Sequence, residues 1–261
     1  MRGSVSPSVR VVIITLDNHL AAAVERANDA MAADRVSIRL FAASDWDRDA
    51  AVLERAKAAI AEADVVIATM LFLEDHIRAI HPALAARRED CDAMVGLMSA
   101  GDIVKLTKLG GYRMDKPAKG PLALLKKLRG SGKPGASSGA GQMKMLRRLP
   151  KILRFIPGAA QDVRQYFLTL QYWLAGSDDN VVAMVRGLID RYASGERAAL
   201  KGKLPAQAPR EYPEVGVYHP AIAGGLTEDA AQLPRSKDAR GTVGVLMLRS
   251  YLLGKDAGHY D

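Results

Sequence analysis

The sequence is short of the residues that most directly identify a function. It has one cysteine in 261 residues, Cys91, which excludes an intrachain disulfide and any zinc site built on several cysteines. We interpret Cys91, which adjoins a predicted strand, as a small buried hydrophobic residue. Aromatic residues make up only 5%, which disfavours a sandwich or barrel of aromatic-rich strands. No apolar run reaches the roughly 18 residues needed to cross a bilayer, and the N-terminal run stops at Asp17, too early for a secretory signal.

Catalytic and phosphate-binding motifs are also missing. There is no GxGxxG directly after the first predicted strand, and no GxxxxGK[ST] or HExxH. The five histidines are not spaced as zinc ligands. Asp17 and His19 follow the first strand and suit acid–base or metal chemistry, but we favour helix capping beside a surface imidazole. For Trp46 we favour an aromatic lid over the core, with ligand stacking as the alternative.

Positive charge is concentrated in one segment. The formal net charge is +8, yet residues 103–154 hold 14 Lys and Arg against one acid, Asp115. That segment is therefore +13, and the rest of the chain is −5. Such a block attracts nucleic acid, anionic lipid or an acidic ligand, unless it is only a solvated connector. Within it, residues 143–156 form a basic amphipathic pattern interrupted at Pro150, suited to a membrane surface, a partner groove or an acidic ligand.

Strand and helix patterns alternate in the first part of the chain. Apolar runs predict strands at 9–16, 36–43, 63–72 and 91–99, and helical spacing predicts helices at 19–33, 48–63 and 74–90. Asp17 or Asn18 would cap the first helix, Ser44 or Asp45 precedes the second, and Pro82 would disturb the third. The predicted fold is α/β, with a Rossmann-like or flavodoxin-like parallel sheet whose ligands lie beyond the carboxyl ends of the strands.

The rest of the chain has a different pattern. Helices are predicted at 101–109, 143–156, 159–176 and 181–193, a flexible Gly/Ser-rich loop at 130–142, and a buried strand within 241–253. We therefore divide the chain into a doubly wound α/β domain at 1–100 and a basic, aromatic helical region at 101–200. Residues 201–261 are a Pro-rich linker with the first strand of an incomplete second α/β domain.

Four strings carry a resemblance to a known family. They are LMSAGDIVKLTKLGGYRMDKPAKGPLALLKKLRG (97–130), DVRQYFLTLQYWLAGSDDNVVAMVRGLIDRYA (162–193), EVGVYHP (214–220) and GTVGVLMLRSYLL with the terminal HYD (241–261). These strings resemble the N-terminal part of the magnesium chelatase H subunit family. The large subunit of aerobic cobaltochelatase is a relative of that family.

The resemblance implies an enzyme complex that inserts Mg²⁺ into protoporphyrin IX during (bacterio)chlorophyll biosynthesis. It implies that the porphyrin is held by this subunit while two AAA+-type partner subunits hydrolyse ATP. Mg²⁺ and ATP then act at the level of the complex, and no cofactor, metal or catalytic residue is expected on this chain. The lone cysteine and the lack of a secretory signal predict a cytoplasmic protein, and no RNA- or DNA-binding signature indicates a nucleic-acid partner. The resemblance leaves peripheral membrane contact open. Because family members are several times longer, we expect an N-terminal fragment that is inactive alone.

A flat, apolar dianion such as protoporphyrin IX is recognised by aromatic faces together with Lys or Arg for its propionates. We therefore expect Tyr166, Tyr172, Trp173, Lys105 and Lys108 to contribute to porphyrin capture. For the aromatic residues, core packing is the competing interpretation. Three other functions stay open: a cobaltochelatase subunit of cobalamin biosynthesis, a flavodoxin-like nucleotide or flavin binder, and a basic module that docks on anionic membrane or nucleic acid.

Overall fold

The computed structural model describes residues 9–116, 148–222, 225–234, 238, 240–241 and 243–255. The strands are β1 (Val9–Thr15), β2 (Val36–Ala42), β3 (Val65–Thr69), β4 (Ala93–Leu97), β5 (Lys108–Leu109), β6 (Tyr112–Arg113), β7 (Val217–Tyr218) and β8 (Leu226–Thr227). The α-helices are α1 (Ala21–Met31), α2 (Ala43–Trp46), α3 (Ala50–Glu62), α4 (Glu74–Arg87), α5 (Gly101–Lys105), α6 (Ala159–Ala175), α7 (Asp178–Tyr192) and α8 (Arg249–Leu253). Residues 148–153 are also helical.

A six-stranded sheet organises the fold, in the order β2-β1-β3-β4-β5-β6. The first four strands pair in parallel, as the alternation of strands and helices predicted, and β5 and β6 add an antiparallel hairpin at one edge. Strands β3 and β4 are buried at every position, because helices cover both faces of the sheet. The predicted α/β fold with a mostly parallel sheet is confirmed.

The two faces of the sheet support separate cores. Val11 and Ile13 of β1 point into a core shared with α1, α6 and α7. Val12 and Ile14, the alternating residues, point into the core under α3 and α4. This alternation follows from the two-residue period of a strand and explains why β1 is apolar along most of its length.

The residues that cap the first helices differ from the sequence-based expectation. The side chain of Asp49 caps α3 by accepting from the Ala51 N–H at 2.9 Å, and Ser44 and Asp45 precede this helix as predicted but do not cap it. The reason is that Ser44 and Asp45 are already inside α2, a short helix that precedes α3. Helix α1 begins after Leu20 with no side-chain cap, so the capping role expected for Asp17 or Asn18 is wrong.

Pro82 lies inside α4, which continues from Glu74 to Arg87. Proline removes one hydrogen bond to the carbonyl four residues earlier, here that of Arg78. Both Pro82 and Arg78 are exposed, so water can solvate the freed carbonyl. An exposed proline therefore does not end this helix.

The helix expected at 101–109 is wrong in its second half. Helix α5 ends at Lys105, and the chain then forms the hairpin of β5 and β6 around Gly110 and Gly111. Gly110 has φ +55°, a conformation that glycine adopts without strain. The turn at the two glycines therefore outweighs the helical spacing of the apolar residues, and a hairpin forms instead of a longer helix.

The strand expected within 241–253 does not form in the described residues. Residues 243–248 have no regular structure, Val243 and Leu246 are exposed, and α8 occupies 249–253. A strand needs a neighbour to satisfy its backbone, and the described structure provides none beside this segment. The predicted loop at 130–142 and part of the helix predicted at 143–156 lie outside the described residues. The proposed domain boundaries stay predictions.

Candidate functional site

The carboxyl edge of the parallel sheet is the candidate site by topology. From β1 the chain crosses to β2 on one side, and from β2 it returns to β3 on the other side of β1. Ligands of doubly wound folds bind at this kind of reversal. Thr15 and Thr69 are the last residues of β1 and β3, and both are fully buried. Neither hydroxyl has a hydrogen-bond partner among the described residues.

Asp17 and His19 form a local pair at this edge. The His19 N–H donates to Asp17 Oδ1 at 3.2 Å, and Nδ1 of the imidazole contacts the same carboxylate oxygen. The imidazole also meets the Trp173 ring edge-on, with 6.4 Å between ring centroids. Asp17 therefore holds the histidine of its own loop against α6. The sequence predicted the position of this pair, and the contact to Trp173 connects it to one of the predicted binding residues.

The loop between β3 and α4 presents two apolar side chains at the same edge. Met70 has φ +59°, and the Leu71 N–H donates to Ser99 Oγ at 3.1 Å. These constraints hold the loop while Phe72 and Leu73 stay 57% and 55% exposed. A non-glycine residue at positive φ is uncommon and marks a backbone fixed by its surroundings.

Trp46 packs as a lid over the core and confirms the favoured interpretation. It is buried, and its ring meets His76 edge-on at 5.9 Å. Nε2 of His76 lies 2.8 Å from Asp47 Oδ2, while its buried Nδ1 has no described partner. The His76–Asp47 pair was not predicted, because the two residues lie 29 positions apart and no sequence spacing relates them.

The predicted aromatic contacts of α6 are buried. Tyr166, Tyr172 and Trp173 all belong to the core between α6, α7 and the sheet. The Tyr166 hydroxyl donates to the Gly96 carbonyl at 3.3 Å, and the Tyr172 hydroxyl donates to the Gln207 carbonyl at 2.5 Å. Burial raises the pKa of Tyr172, so its hydroxyl stays protonated and keeps this bond. These three side chains are therefore positioned by core packing, whatever further role they have.

The two predicted lysines are placed differently. Lys105 is exposed on α5 and pairs with Asp102 at 3.2 Å. Lys108 donates to the carbonyls of Arg88, Glu89 and Cys91 at 3.0, 2.7 and 3.1 Å. Lys108 thus closes the carboxyl end of α4. Of the five predicted porphyrin contacts, Lys105 is the one left open to solvent.

Two ion pairs lie near the hairpin of β5 and β6. Arg113 pairs with Glu89 at 2.5 Å, and Arg88 pairs with Asp115 at 2.7 Å. The Arg88 guanidinium holds the pKa of Asp115 well below its usual range, with a smaller contribution from Arg113. Arg113 of the hairpin and Arg88 at the end of α4 therefore both have structural partners.

Asp162 is a buried acid that the sequence analysis missed. Its carboxylate accepts from the Gly111 N–H at 3.0 Å, from Arg191 Nε at 2.9 Å and from the Tyr192 hydroxyl at 3.1 Å. Burial, with the Asp162 charge as a second cause, raises the pKa of Tyr192 above its ordinary value. The arrangement fixes the hairpin turn against α6 and α7. An acid in the first turn of an apolar helix was its only sequence signal.

Two negative findings concern the described ranges only. They contain no group of three or more His, Cys, Asp or Glu side chains placed to hold a metal ion. Over the same part of the chain, no helix combines the length and apolarity needed to span a bilayer.

Two families match consecutive parts of the chain. Residues 10–167 match the family described as "Domain of unknown function (DUF3479)". Residues 170–261 match the family described as "CobN/Magnesium Chelatase". The junction between the two matches falls inside α6, which extends from Ala159 to Ala175.

The similarity to curated relatives covers all or nearly all of the chain. The magnesium-chelatase H subunit of Rhodobacter capsulatus is 49% identical over 96% of this chain and 21% of its own length. The H subunit from Cereibacter sphaeroides is 49% identical over 100% of this chain and 22% of its own length. The chloroplastic magnesium-chelatase subunit ChlH of Oryza sativa subsp. indica is 28% identical over 97% of this chain and 19% of its own length. The chain spans about a fifth of the length of these relatives.

These matches confirm the family resemblance drawn from the sequence strings. The identity to the bacterial H subunits covers both the parallel sheet and the helices α6 and α7. Because the DUF3479 match covers more than half of the residues, the chain belongs to that family, and over its whole length it is a relative of magnesium-chelatase H subunits.

Proposed function

We propose that this chain is part of the porphyrin-binding subunit of a magnesium chelatase. The observation that carries the proposal is the 49% identity to magnesium-chelatase H subunits along 96% and 100% of the chain. The overall reaction replaces two pyrrole protons of protoporphyrin IX with Mg²⁺. Mg²⁺ loses its hydration water reluctantly, which gives a physical reason for coupling the insertion to ATP hydrolysis.

The partners and cofactors of the proposal belong to the complex. Protoporphyrin IX is the substrate, Mg²⁺ is the inserted ion, and two AAA+-type subunits bind and hydrolyse ATP. The sequence supports this division because it contains no GxxxxGK[ST] phosphate-binding loop. We also propose a cytoplasmic location with peripheral membrane contact. A lone, buried cysteine suits a reducing compartment, and the basic segment 103–154 suits an anionic surface.

The contribution of individual residues to porphyrin capture is the finer part of the proposal. Lys105 is exposed and carries a charge complementary to a propionate. Tyr166, Tyr172 and Trp173 would act by shaping the wall behind such a contact, since their rings are buried. Lys108 would act in the same indirect way, by holding the end of α4 beside β5.

A chimeric chelatase tests the proposed function. The matching part of the Rhodobacter capsulatus protein is replaced by this chain and combined with the partner subunits, ATP, Mg²⁺ and protoporphyrin IX. We expect ATP-dependent formation of magnesium protoporphyrin, followed by its fluorescence. A folded chimera that forms no product, while the parental protein does, would contradict the proposal. Insertion of Co²⁺ in preference to Mg²⁺ would replace it with a cobaltochelatase function.

Porphyrin fluorescence quenching tests the residues. Lys105→Gln is expected to weaken porphyrin binding to the chimera by roughly tenfold, as loss of one charge-assisted hydrogen bond predicts. Lys57→Gln is the matched control, because Lys57 is also a helix lysine with an acidic neighbour three residues away. Equal quenching curves for the two variants would remove Lys105 from the site.

A further inference from the structure

A short helical segment is fastened to α6 by its backbone carbonyls. It covers residues 148–153 and continues into a turn at 154–155. Gln161 Nε2 donates to the carbonyls of Leu153 and Ile156 at 2.7 and 2.6 Å. Arg164 Nε donates to the Pro150 carbonyl at 3.1 Å. Side chains on α6 therefore set the orientation of this segment.

One face of the segment is buried against α6. Leu149 and Leu153 are buried, and Leu153 forms a small core with Ala160 and Val163. Residues four apart lie on one face of a helix, so this pair defines the inner side. Pro150 is also buried, whereas Arg148, Lys151 and Ile152 are exposed.

The outer side carries two large apolar side chains. Ile152 is 59% exposed and Phe155 is 83% exposed. Exposed pairs of this size have a hydration cost that is removed when they enter an apolar phase. Neither side chain belongs to the small core behind the segment.

Three exposed cations are close to this apolar pair in the sequence. They are Arg148, Lys151 and Arg154, and none forms an ion pair with another described residue. No Asp or Glu occurs between residues 148 and 161. This contrasts with Phe72 and Leu73, whose neighbours Glu74 and Asp75 are acidic and exposed. We call the set Arg148, Lys151, Ile152, Arg154 and Phe155 the basic face.

We propose that the basic face docks on an anionic phospholipid surface, with Ile152 and Phe155 entering the interface and the three cations lying at the phosphate groups. An amphipathic element of this composition lies in the plane of the interface and needs no membrane-spanning helix. Each Lys or Arg near such a surface adds attraction that salt screens. This inference rests on the membrane contact proposed above and assigns it to particular residues.

Vesicle sedimentation of the 261-residue chain tests the proposal. We expect the chain to bind vesicles of phosphatidylcholine mixed with phosphatidylglycerol and to bind vesicles of phosphatidylcholine alone much more weakly. Raising the salt from about 0.1 M to about 1 M shortens the Debye length from about 10 Å to about 3 Å and should reduce binding. Replacing both apolar residues, Ile152→Ala with Phe155→Ala, should lower the partition coefficient about tenfold or more.

Matched variants separate the basic face from other exposed or basic parts of the chain. Phe72→Ala with Leu73→Ala removes another exposed apolar pair, one in acidic surroundings, and should leave partitioning unchanged. Lys151→Gln with Arg154→Gln should reduce binding roughly fivefold for each charge. Circular dichroism checks that all variants keep the wild-type fold.

Three outcomes would overturn the proposal. The first is no binding to the mixed vesicles by the wild-type chain. The second is unchanged binding by folded variants of the basic face, which would assign membrane contact to another part of the chain. The third is tighter binding to DNA or to an acidic polypeptide than to vesicles, lost in the same variants. The chelatase chimera is assayed without vesicles, so these results leave the proposed chelatase function to its own test.

Discussion

The thiol of Cys91 lies buried just before β4, between the end of α4 and the strand. Burial raises its pKa to about 11 from an ordinary value of 9.0. The thiol is therefore protonated and unreactive near neutral pH, as the sequence predicted for a small hydrophobic residue. We expect a thiol reagent such as DTNB to label the native chain at about pH 8 far more slowly than the chain unfolded in urea. Equal rates would contradict the buried position.

The raised pKa of the Cys91 thiol predicts that the stability of the fold depends on pH. In the unfolded chain the thiol ionises from about pH 9, whereas the folded chain keeps it neutral until about pH 11. Its contribution to the free energy of unfolding is complete below about pH 9 and is lost as the pH rises to about 11. Urea unfolding across this range should show a smaller decline for Cys91→Ala than for the wild-type chain.

Asp162 connects three parts of the fold through one carboxylate, which accepts from Gly111, Arg191 and Tyr192. Asp162→Asn removes the charge opposite Arg191 and is expected to destabilise the chain by about 2 kcal/mol, discounted because Arg191 is partly exposed. The midpoint of urea unfolding measures the effect. Asp102→Asn, at an exposed pair, should change stability by less than about 0.5 kcal/mol.

At the scale of elements, the hairpin turn depends on Gly110. A Cβ at this position would lie 3.0 Å from Asp162 Oδ2, and φ is +55°. Gly110→Ala should therefore cost about 1–2 kcal/mol in unfolding free energy. Gly101→Ala is the control, since no atom lies within 4 Å of its added Cβ. A control variant as unstable as Gly110→Ala would refute the explanation.

The elements that the sequence predicted well are those with a strong period. Strand β1 and helices α6 and α7 lie where apolar spacing placed them, because burial on a defined face fixes both period and position. The failures occur where short-range geometry or missing neighbours dominate. Gly110 and Gly111 turned a predicted helix into a hairpin, and residues 243–248 have no adjacent strand in the described structure.

The candidate site was predictable in outline only. The carboxyl edge followed from topology, and the Asp17–His19 pair followed from its place after β1. The contacts of Asp162 and His76 depend on residues brought together from 29 or more positions away, which spacing along the chain cannot reveal. Burial of Tyr166, Tyr172 and Trp173 followed from the same apolar period that suggested a binding slot.

At the scale of the whole molecule, the two regions of the chain that match different families contribute side chains to one hydrophobic core. The junction at residues 167–170 lies inside α6, and α7 supplies Val181, Met184 and Leu188 to the core over the sheet. A chain ending after residue 167 loses these side chains, each contributing roughly 1.5–3 kcal/mol, against a typical domain stability of about 5–15 kcal/mol. We expect that truncation to bind the dye ANS and lose cooperative unfolding.

A chain ending after residue 212 is the matched comparison. It keeps α6, α7 and the contact of Tyr172 with Gln207, and omits the exposed segment 243–248. We expect cooperative thermal unfolding and little ANS fluorescence from it. If both truncations behave alike, the core is not shared in the way that the packing of α6 and α7 indicates.

The chain has two tryptophans, and the sheet separates them. Trp173 belongs to the core on the α1 side, and Trp46 belongs to the core on the α3 side. Each layer therefore carries its own optical reporter. Single-tryptophan proteins made with Trp46→Phe or Trp173→Phe would let emission spectra follow one layer at a time. Coincident transitions would mean that both layers melt as one unit, and the Trp173 signal would also register changes near the imidazole of His19.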